Sequence, residues 1–363
     1  MGDKNLQKTK KIVLTVVGIL LLVAAFAVGI WCSNEQKANS TPVTSMQFIM
    51  DTFIEQKMYG RSAQKVVDEI NSSLKDFEQR MSMHLDESEV TMINLNAGKK
   101  FVSVSQETFD CIKLAKEYSE KSNGRFDVTI APLTKLWDIT GLDPRVPPKE
   151  EIDKALELVD YQDILLDEKN RGVMLAKKGQ AIDLGGIAKG MAAEIVINIA
   201  REKGIESGYV SLGGNLAVIG QKPDGSEYVF GVRDPRGDAS EYIGTVHLPG
   251  KTMATTGDYE RYFVEDGVTY HHILDPATGY PCKSDFISVT IISEHGALAD
   301  YLSTALFMME KEDALSMINS EEFEAILVDQ EKNVYWSNSL EGNFRPNETK
   351  TEYQFHSAGR EGK

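Results

Sequence analysis

The sequence predicts an α+β domain, and three observations carry that prediction. Segments of strand period and segments of helix period are interleaved, but no strict strand–helix–strand repeat runs through them. Short strands cluster in the second half, punctuated by glycine pairs and turn residues. Finally, no polar linker interrupts residues 46–340, so this stretch of roughly 300 residues is expected to fold as one unit.

The elements follow in order. Lys4, Lys8, Lys10 and Lys11 precede an uncharged apolar run from Ile12 to Trp31. Such a run, about 20 residues, is long enough to cross a bilayer as a helix. It reads as an uncleaved anchor over 12–32, with residues 1–11 cytoplasmic by the positive-inside rule and all that follows outside the cytoplasmic membrane. A cleaved signal or a lipidated Cys32 is the alternative, disfavoured by Trp31 where a small residue is wanted. Residues 33–45 form a polar linker. "SMQFIMDTFIEQKMYG" alternates as a strand. The next segment puts Val66, Val67, Ile70, Leu74 and Phe77 on one helical face. A second amphipathic helix follows Ser105, a capping residue, and stops at Asn123-Gly124. "LDPRVPPKE" is a loop leading into a helix at 149–159. From residue 180 on, one clear helix, "GGIAKGMAAEIVINIAREKGI", stands among strands at "GYVSLGG", "EYVFGVRD", "IGTVHL", "TYHHIL" and "FISVTIIS". "GALADYLSTALFMM" is a last long helix, and residues 341–363 are polar enough to be expected as a disordered tail.

Charge excludes one class of function. The chain has 39 basic and 55 acidic side chains; residues 1–32 hold four and one of these, leaving 35 against 54, a balance of −19. An acidic domain is a poor non-specific nucleic-acid binder. An anionic ligand would need local help from a metal ion or helix N-termini. Cys111 and Cys282 lie far apart; two unpaired thiols are expected rather than a bridge, and no Cys/His cluster suggests zinc.

Four segments could carry chemistry. In "AIDLGGIAKGMAAE" a strand ends at Asp183, glycines turn the chain, and a helix begins with Lys189 on its first turn. This suits an anion or mere tight packing; it is neither GxGxxG nor a P-loop. "GYVSLGGNLAVIG" is a glycine bend in a sheet or a close ligand approach. "ATTGDYERYFVEDGVTYHHILDPATGYP" offers hydroxyls at Thr255 and Thr256 and places His271 and His272 on opposite faces of a strand. One of them can therefore look into a cleft as an acid–base group. Asp300 and Thr304, four apart, share a face of an apolar helix. Such an oxygen pair suits Mg²⁺; the alternative is a hydroxyl bonded to its own helix beside a dipole-favoured acid.

These segments together resemble the FAD:protein FMN transferase (ApbE) family. The motifs are "MDT", "MSMHLDESEVTMIN", "NGRFDVTIAPLTKLW", "DLGGIAKG", "SLGGN", "TTGDYERY", "HHILDPATGYP" and "ADYLSTA", in one order from about Met46 to residue 335. The resemblance implies an ApbE-like fold with mixed and antiparallel sheets. It implies Mg²⁺-dependent cleavage of FAD, transfer of FMN to a Thr or Ser of a target protein, and release of AMP. Asp300, Thr304 and the Gly186 carbonyl are then expected to hold Mg²⁺, with Ser303 also in that shell. Met50, His84, Arg125, Phe126, Asp127, Asp183, Lys189 and the main chain at Leu274 match positions lining the FAD site. His272 matches the base that deprotonates the incoming hydroxyl, with His271 turned away. Three positions depart from the family pattern: Asp51 stands where glycine is usual, His84 where an aromatic is common, and Thr256 where serine is. Implied partners are exported or membrane proteins with a D-x-x-[ST]-G-A-[ST] motif, such as redox-pump subunits or flavinylated lipoproteins. Hydrolysis of FAD to FMN and AMP, or flavin binding without catalysis, are the rival readings. Thr278 sits in a partial copy of the acceptor motif that fails at Tyr280 and Pro281, so it is not expected to be flavinylated.

Overall fold

The computed structural model describes residues 14–15, 17–29 and 40–357. Residues 1–11 and 33–39 lie outside the described residues, and so does part of the expected anchor. Among the described residues no helix is long and apolar enough to cross a membrane.

The first half of the chain builds β1 (Val43–Ile49), β2 (Thr52–Met58), α1 (Ala63–Met81), α2 (Glu89–Leu95), β3 (Val102–Ser103), α3 (Gln106–Lys121), α4 (Ala131–Trp137), α5 (Lys149–Leu156), β4 (Ile164–Asp167) and β5 (Gly172–Leu175). The second half builds α6 (Ala188–Glu202), β6 (Ser207–Leu212), β7 (Asn215–Gly220), β8 (Val229–Arg233), β9 (Tyr242–His247), β10 (Thr252–Gly257), β11 (Tyr262–Glu265) and β12 (Val268–His271). It ends with β13 (Phe286–Ser293), α7 (Gly296–Phe307), α8 (Lys311–Met317), β14 (Glu324–Asp329), β15 (Asn333–Trp336), β16 (Phe344–Pro346) and β17 (Gln354–Ser357).

A nine-stranded sheet in the order β1-β2-β6-β7-β10-β13-β14-β15-β17 is the spine. Its neighbours are antiparallel except β15 and β17, which run parallel. The apolar faces of α1, α6 and α7 cover one side, as the 3.6-residue pattern of Val66, Ile70, Leu74 and Phe77 requires. A small sheet, β16-β9-β8, covers the other side over Val218, Ile292, Val328 and Trp336. β13 is therefore buried along its whole length, its polar Ser288, Thr290 and Ser293 together with its apolar and β-branched residues. Each fully buried Phe, Leu or Ile in these layers contributes about 1.5–3 kcal/mol. A third cluster packs α4 and α5 under the β11–β12 ribbon through Leu133, Trp137, Ile152 and Leu274.

Two expectations need correction. The single strand expected over 45–60 is a hairpin folded at Met50-Asp51, whose φ angles are +57° and +54°. A two-residue loop with both φ positive matches strand twist, and it is normally built from Asn and Gly. Asp51 thus occupies a backbone state that favours glycine. The expected disordered tail, 341–363, is folded as far as Ser357: β16 pairs with β9, β17 pairs with β15, and Phe344 and Tyr353 are buried. The remaining residues, 358–363, lie outside the described residues.

Candidate active site

A cavity of about 460 Å³ opens where the β1–β2 hairpin tip, the loops after α1 and α3, the glycine turn before α6, the end of β10 and α7 converge. That volume falls within the range of small-molecule sites. Met50, His84, Arg125, Phe126, Asp127, Asp183, Gly186, Lys189, His272, Leu274, Asp300 and Thr304 all line it.

The paired histidines are resolved by their hydrogen bonds. His271 Nε2 lies 3.0 Å from the Cys282 carbonyl, and the Ile273 amide donates to its Nδ1 at 3.3 Å. A carbonyl only accepts, so Nε2 carries the proton and both ring nitrogens are occupied. The ring packs edge-on against Phe307, and burial lowers its pKa. His272 has the opposite tautomer. Its Nδ1 lies 3.2 Å from the Arg261 carbonyl, so Nδ1 carries the proton and Nε2 keeps its lone pair. Burial first, then the charges of Arg261, His271 and Lys189, push the His272 pKa down to about 3. The ring is therefore a neutral base at neutral pH. Strand alternation predicts opposite faces; only the partner carbonyls say which face is which.

On α7, Asp300 is buried. Its Oδ2 accepts from the Gly190 amide at 2.9 Å. Its Oδ1 has Lys189 Nζ at 3.8 Å, beyond hydrogen-bond reach, because that ammonium donates to the Gly185 carbonyl at 2.9 Å instead. The amide contact depends on a close helix crossing. A Cβ on Gly190 would run into the Gly296 carbonyl, and one on Gly296 into the Gly190 carbonyl. Glycine at both positions lets α6 and α7 touch backbone to backbone.

Ser303 departs from expectation. It is fully buried behind the wall: its Oγ donates to the Asp300 carbonyl at 2.8 Å and lies 2.8 Å from Thr256 Oγ1. Thr256 must then donate to Ser303, which leaves Thr304 Oγ1, 3.2 Å away, to donate to Thr256. The chain of hydroxyls orients Thr304 with its lone pairs open. Asp127 is also committed inward. Its carboxylate accepts from Thr129 N and Oγ1 at 2.8 and 2.6 Å and from Tyr161 N at 3.0 Å, so it shapes the 125–128 loop rather than offering charge to a ligand. Burial raises its pKa despite those bonds. Phe126 packs against Gly186, where a Cβ would lie 2.8 Å from its ring.

A hard cation fits the remaining donors. The oxygen of the Asp300 carboxylate that makes no hydrogen bond, an oriented hydroxyl and a carbonyl on a glycine turn form an all-oxygen set of the kind Mg²⁺ prefers. Among the described residues no three His, Cys, Asp or Glu side chains converge on a metal-binding group, so the carboxylate would act alone. Cys111 and Cys282 are free thiols, both raised to about 12 by burial. The turn at Asp275–Tyr280 is closed on itself: Asp275 accepts from the Thr278 hydroxyl at 2.9 Å and the Ala277 amide at 2.8 Å. Sequence reasoning did not find Arg261, whose carbonyl sets the His272 tautomer; its only signal is its place in "TTGDYERY".

One imidazole with an open nitrogen and one buried carboxylate with an open oxygen, on the wall of one ligand-sized cleft, are the equipment of an enzyme that works by acid–base chemistry. The chain belongs to the ApbE family, whose model matches residues 50–327. A protein of Klebsiella pneumoniae (strain 342) named FAD:protein FMN transferase is 33% identical over 299 residues, covering 82% of this chain and 92% of that one. The crystal structure of the ApbE protein from Thermotoga maritima superposes with a TM-score of 0.78 at 36% identity, over 84% of this chain and 99% of that one. That of the Pseudomonas stutzeri flavinyl transferase ApbE, apo form, gives 0.73 at 28% identity over 84% and 97%.

Proposed function

We propose that this chain is a Mg²⁺-dependent FAD:protein FMN transferase acting on exported proteins. The observation that carries the reading is the His272 ring: neutral, fixed as the Nδ1–H tautomer, with Nε2 free on the wall of the cleft that also holds Asp300 and Thr304. FAD would enter the cleft with its pyrophosphate toward the glycine turn and Lys189. His272 Nε2 takes the proton of an incoming Thr or Ser hydroxyl. The freed oxygen forms a bond to the phosphorus of the FMN half, the pyrophosphate P–O bond breaks, and AMP leaves with the bonding electrons. Asp300, Thr304 and the Gly186 carbonyl would hold Mg²⁺, which offsets the charge of the pyrophosphate. Lys189 supplies a second positive charge near the same place.

The acceptor is a protein with a D-x-x-[ST]-G-A-[ST] segment, of the redox-pump or flavinylated-lipoprotein kind. An N-terminal anchor with the catalytic domain outside the cytoplasmic membrane places enzyme and acceptor together; Lys4–Lys11 before the apolar run supports this orientation. Fractionation with external protease tests it: the domain should pellet with membranes and be cut in spheroplasts. The activity itself is tested by mixing the protein, FAD, Mg²⁺ and such an acceptor. Intact mass should show one FMN added to the acceptor. FAD converted to FMN and AMP with every acceptor unmodified would make the chain a hydrolase, and intact FAD would make it a flavin binder.

A further inference from the structure

The turn leaving β8 reads Arg233-Asp234-Pro235-Arg236-Gly237-Asp238, and the chemistry above does not use it. Both of its arginines reach one cleft segment, 258–261. Arg236 donates to the two carboxylate oxygens of Asp258 at 2.6 and 2.8 Å. Arg233 donates to Glu260 Oε1 at 3.1 Å, and its guanidinium lies 5.1 Å from the centre of the Tyr259 ring. Arg236 is held in turn, since its amide donates to Asp234 Oδ1 at 2.9 Å. Asp234 is buried, and its carboxylate also takes the Tyr353 hydroxyl at 2.5 Å and the Lys350 ammonium at 2.7 Å. The segment gripped this way ends at Arg261, whose carbonyl accepts from both the backbone amide of His272, at 3.0 Å, and its Nδ1.

Stability alone is a weak reason for the Arg236–Asp258 pair. Its side chains are 37% and 17% exposed, and pairs of this kind contribute about 0–1 kcal/mol. What the two-pronged geometry does supply is direction, because a guanidinium and a carboxylate lock each other's plane. We propose that Arg236, clamped on Asp258, is a positioning residue for His272: it fixes 258–261 so that the Arg261 carbonyl holds the imidazole in its Nδ1–H form. Asp234, Lys350 and Tyr353 form the far end of the same strut. This rests on the reading of His272 as the base.

The test is ¹⁵N imidazole NMR of the full chain, with the His272 signals assigned through His272→Asn, alongside transfer kinetics. The wild type should show one Nδ1–H tautomer. In Arg236→Ala the His272 tautomers should average. Its kcat for FMN transfer should fall about ten- to hundredfold, with the KM for FAD within about twofold. Arg236→Lys, which keeps the charge and one bond, should recover part of both. If Arg236→Ala does not fold, Asp258→Asn carries the same expectation. Unchanged His272 signals overturn the proposal, and so does an averaged ring with wild-type kcat. Averaged signals in an enzyme whose wild type transfers no FMN uphold the strut and remove the base reading instead.

Discussion

At the scale of single residues, the proposed chemistry turns on one lone pair. His272→Ala removes the only ring nitrogen left open by the two tautomer assignments. Transfer should fall by about 10²–10⁴, while FAD binding, followed by flavin fluorescence, should persist. The pH profile has a sign that can be worked out. An ordinary histidine base loses activity below about pH 6.5. The His272 pKa is pushed down to about 3, so its neutral form, the one the proposed mechanism uses, survives to much lower pH. The acid limb of kcat/KM should lie well below pH 6.5; a limb at pH 6.5 would mean that the ring is not desolvated in the working enzyme. Asp300→Ala should leave folding intact and raise the Mg²⁺ concentration for half-maximal rate at least about tenfold, as expected when a cation loses its one carboxylate. An unchanged Mg²⁺ requirement would place the ion elsewhere.

At the scale of elements, the α6–α7 crossing depends on glycine at two facing positions. Gly190→Ala puts a methyl group into the Gly296 carbonyl and against the Asp300 side chain. Overpacking of this kind costs about 1–3 kcal/mol. It also moves the amide that holds Asp300 Oδ2, so a lower urea midpoint should come with a higher Mg²⁺ requirement. A lower midpoint with unchanged Mg²⁺ dependence would separate the crossing from the site. The same elements show what was legible in the sequence. Helices with a clear 3.6-residue face, such as α1, and the mostly apolar and β-branched β13 are legible with nearly their final bounds. The β1–β2 turn was invisible, because Met50 and Asp51 keep the strand alternation running and lack the Asn-Gly signature that announces positive φ. The positions of Asp300 and Thr304 followed from their spacing of four. The burial of Ser303 did not, since it depends on Thr256, a residue 47 positions away on β10. His272 was legible as a candidate, and the carbonyl that fixes it was not, because Arg261 takes part through its backbone and any residue type could supply that oxygen.

At the scale of the whole molecule, the C-terminal segment closes both sheets. Its composition is polar, and local pattern reads it as a tail. Yet Phe344 fills the core between the small sheet and the spine, and Tyr353 is buried beside Asp234. β17 satisfies the free edge of β15 through a parallel register from Asn333↔Gln354 to Trp336↔Ser357. Two aromatic anchors and an open sheet edge outweigh the intervening polar residues, since the chain between them only has to cross the surface. Ending the chain at Glu341 removes both anchors, and truncation of one buried Phe alone costs about 3–5 kcal/mol. Against a typical total of about 5–15 kcal/mol, the loss of two should abolish a cooperative transition or move its urea midpoint far down. The shortened chain should also elute early and bind hydrophobic dye. A truncated protein with the full-length midpoint would show that residues 342–357 rest on the domain without supporting it.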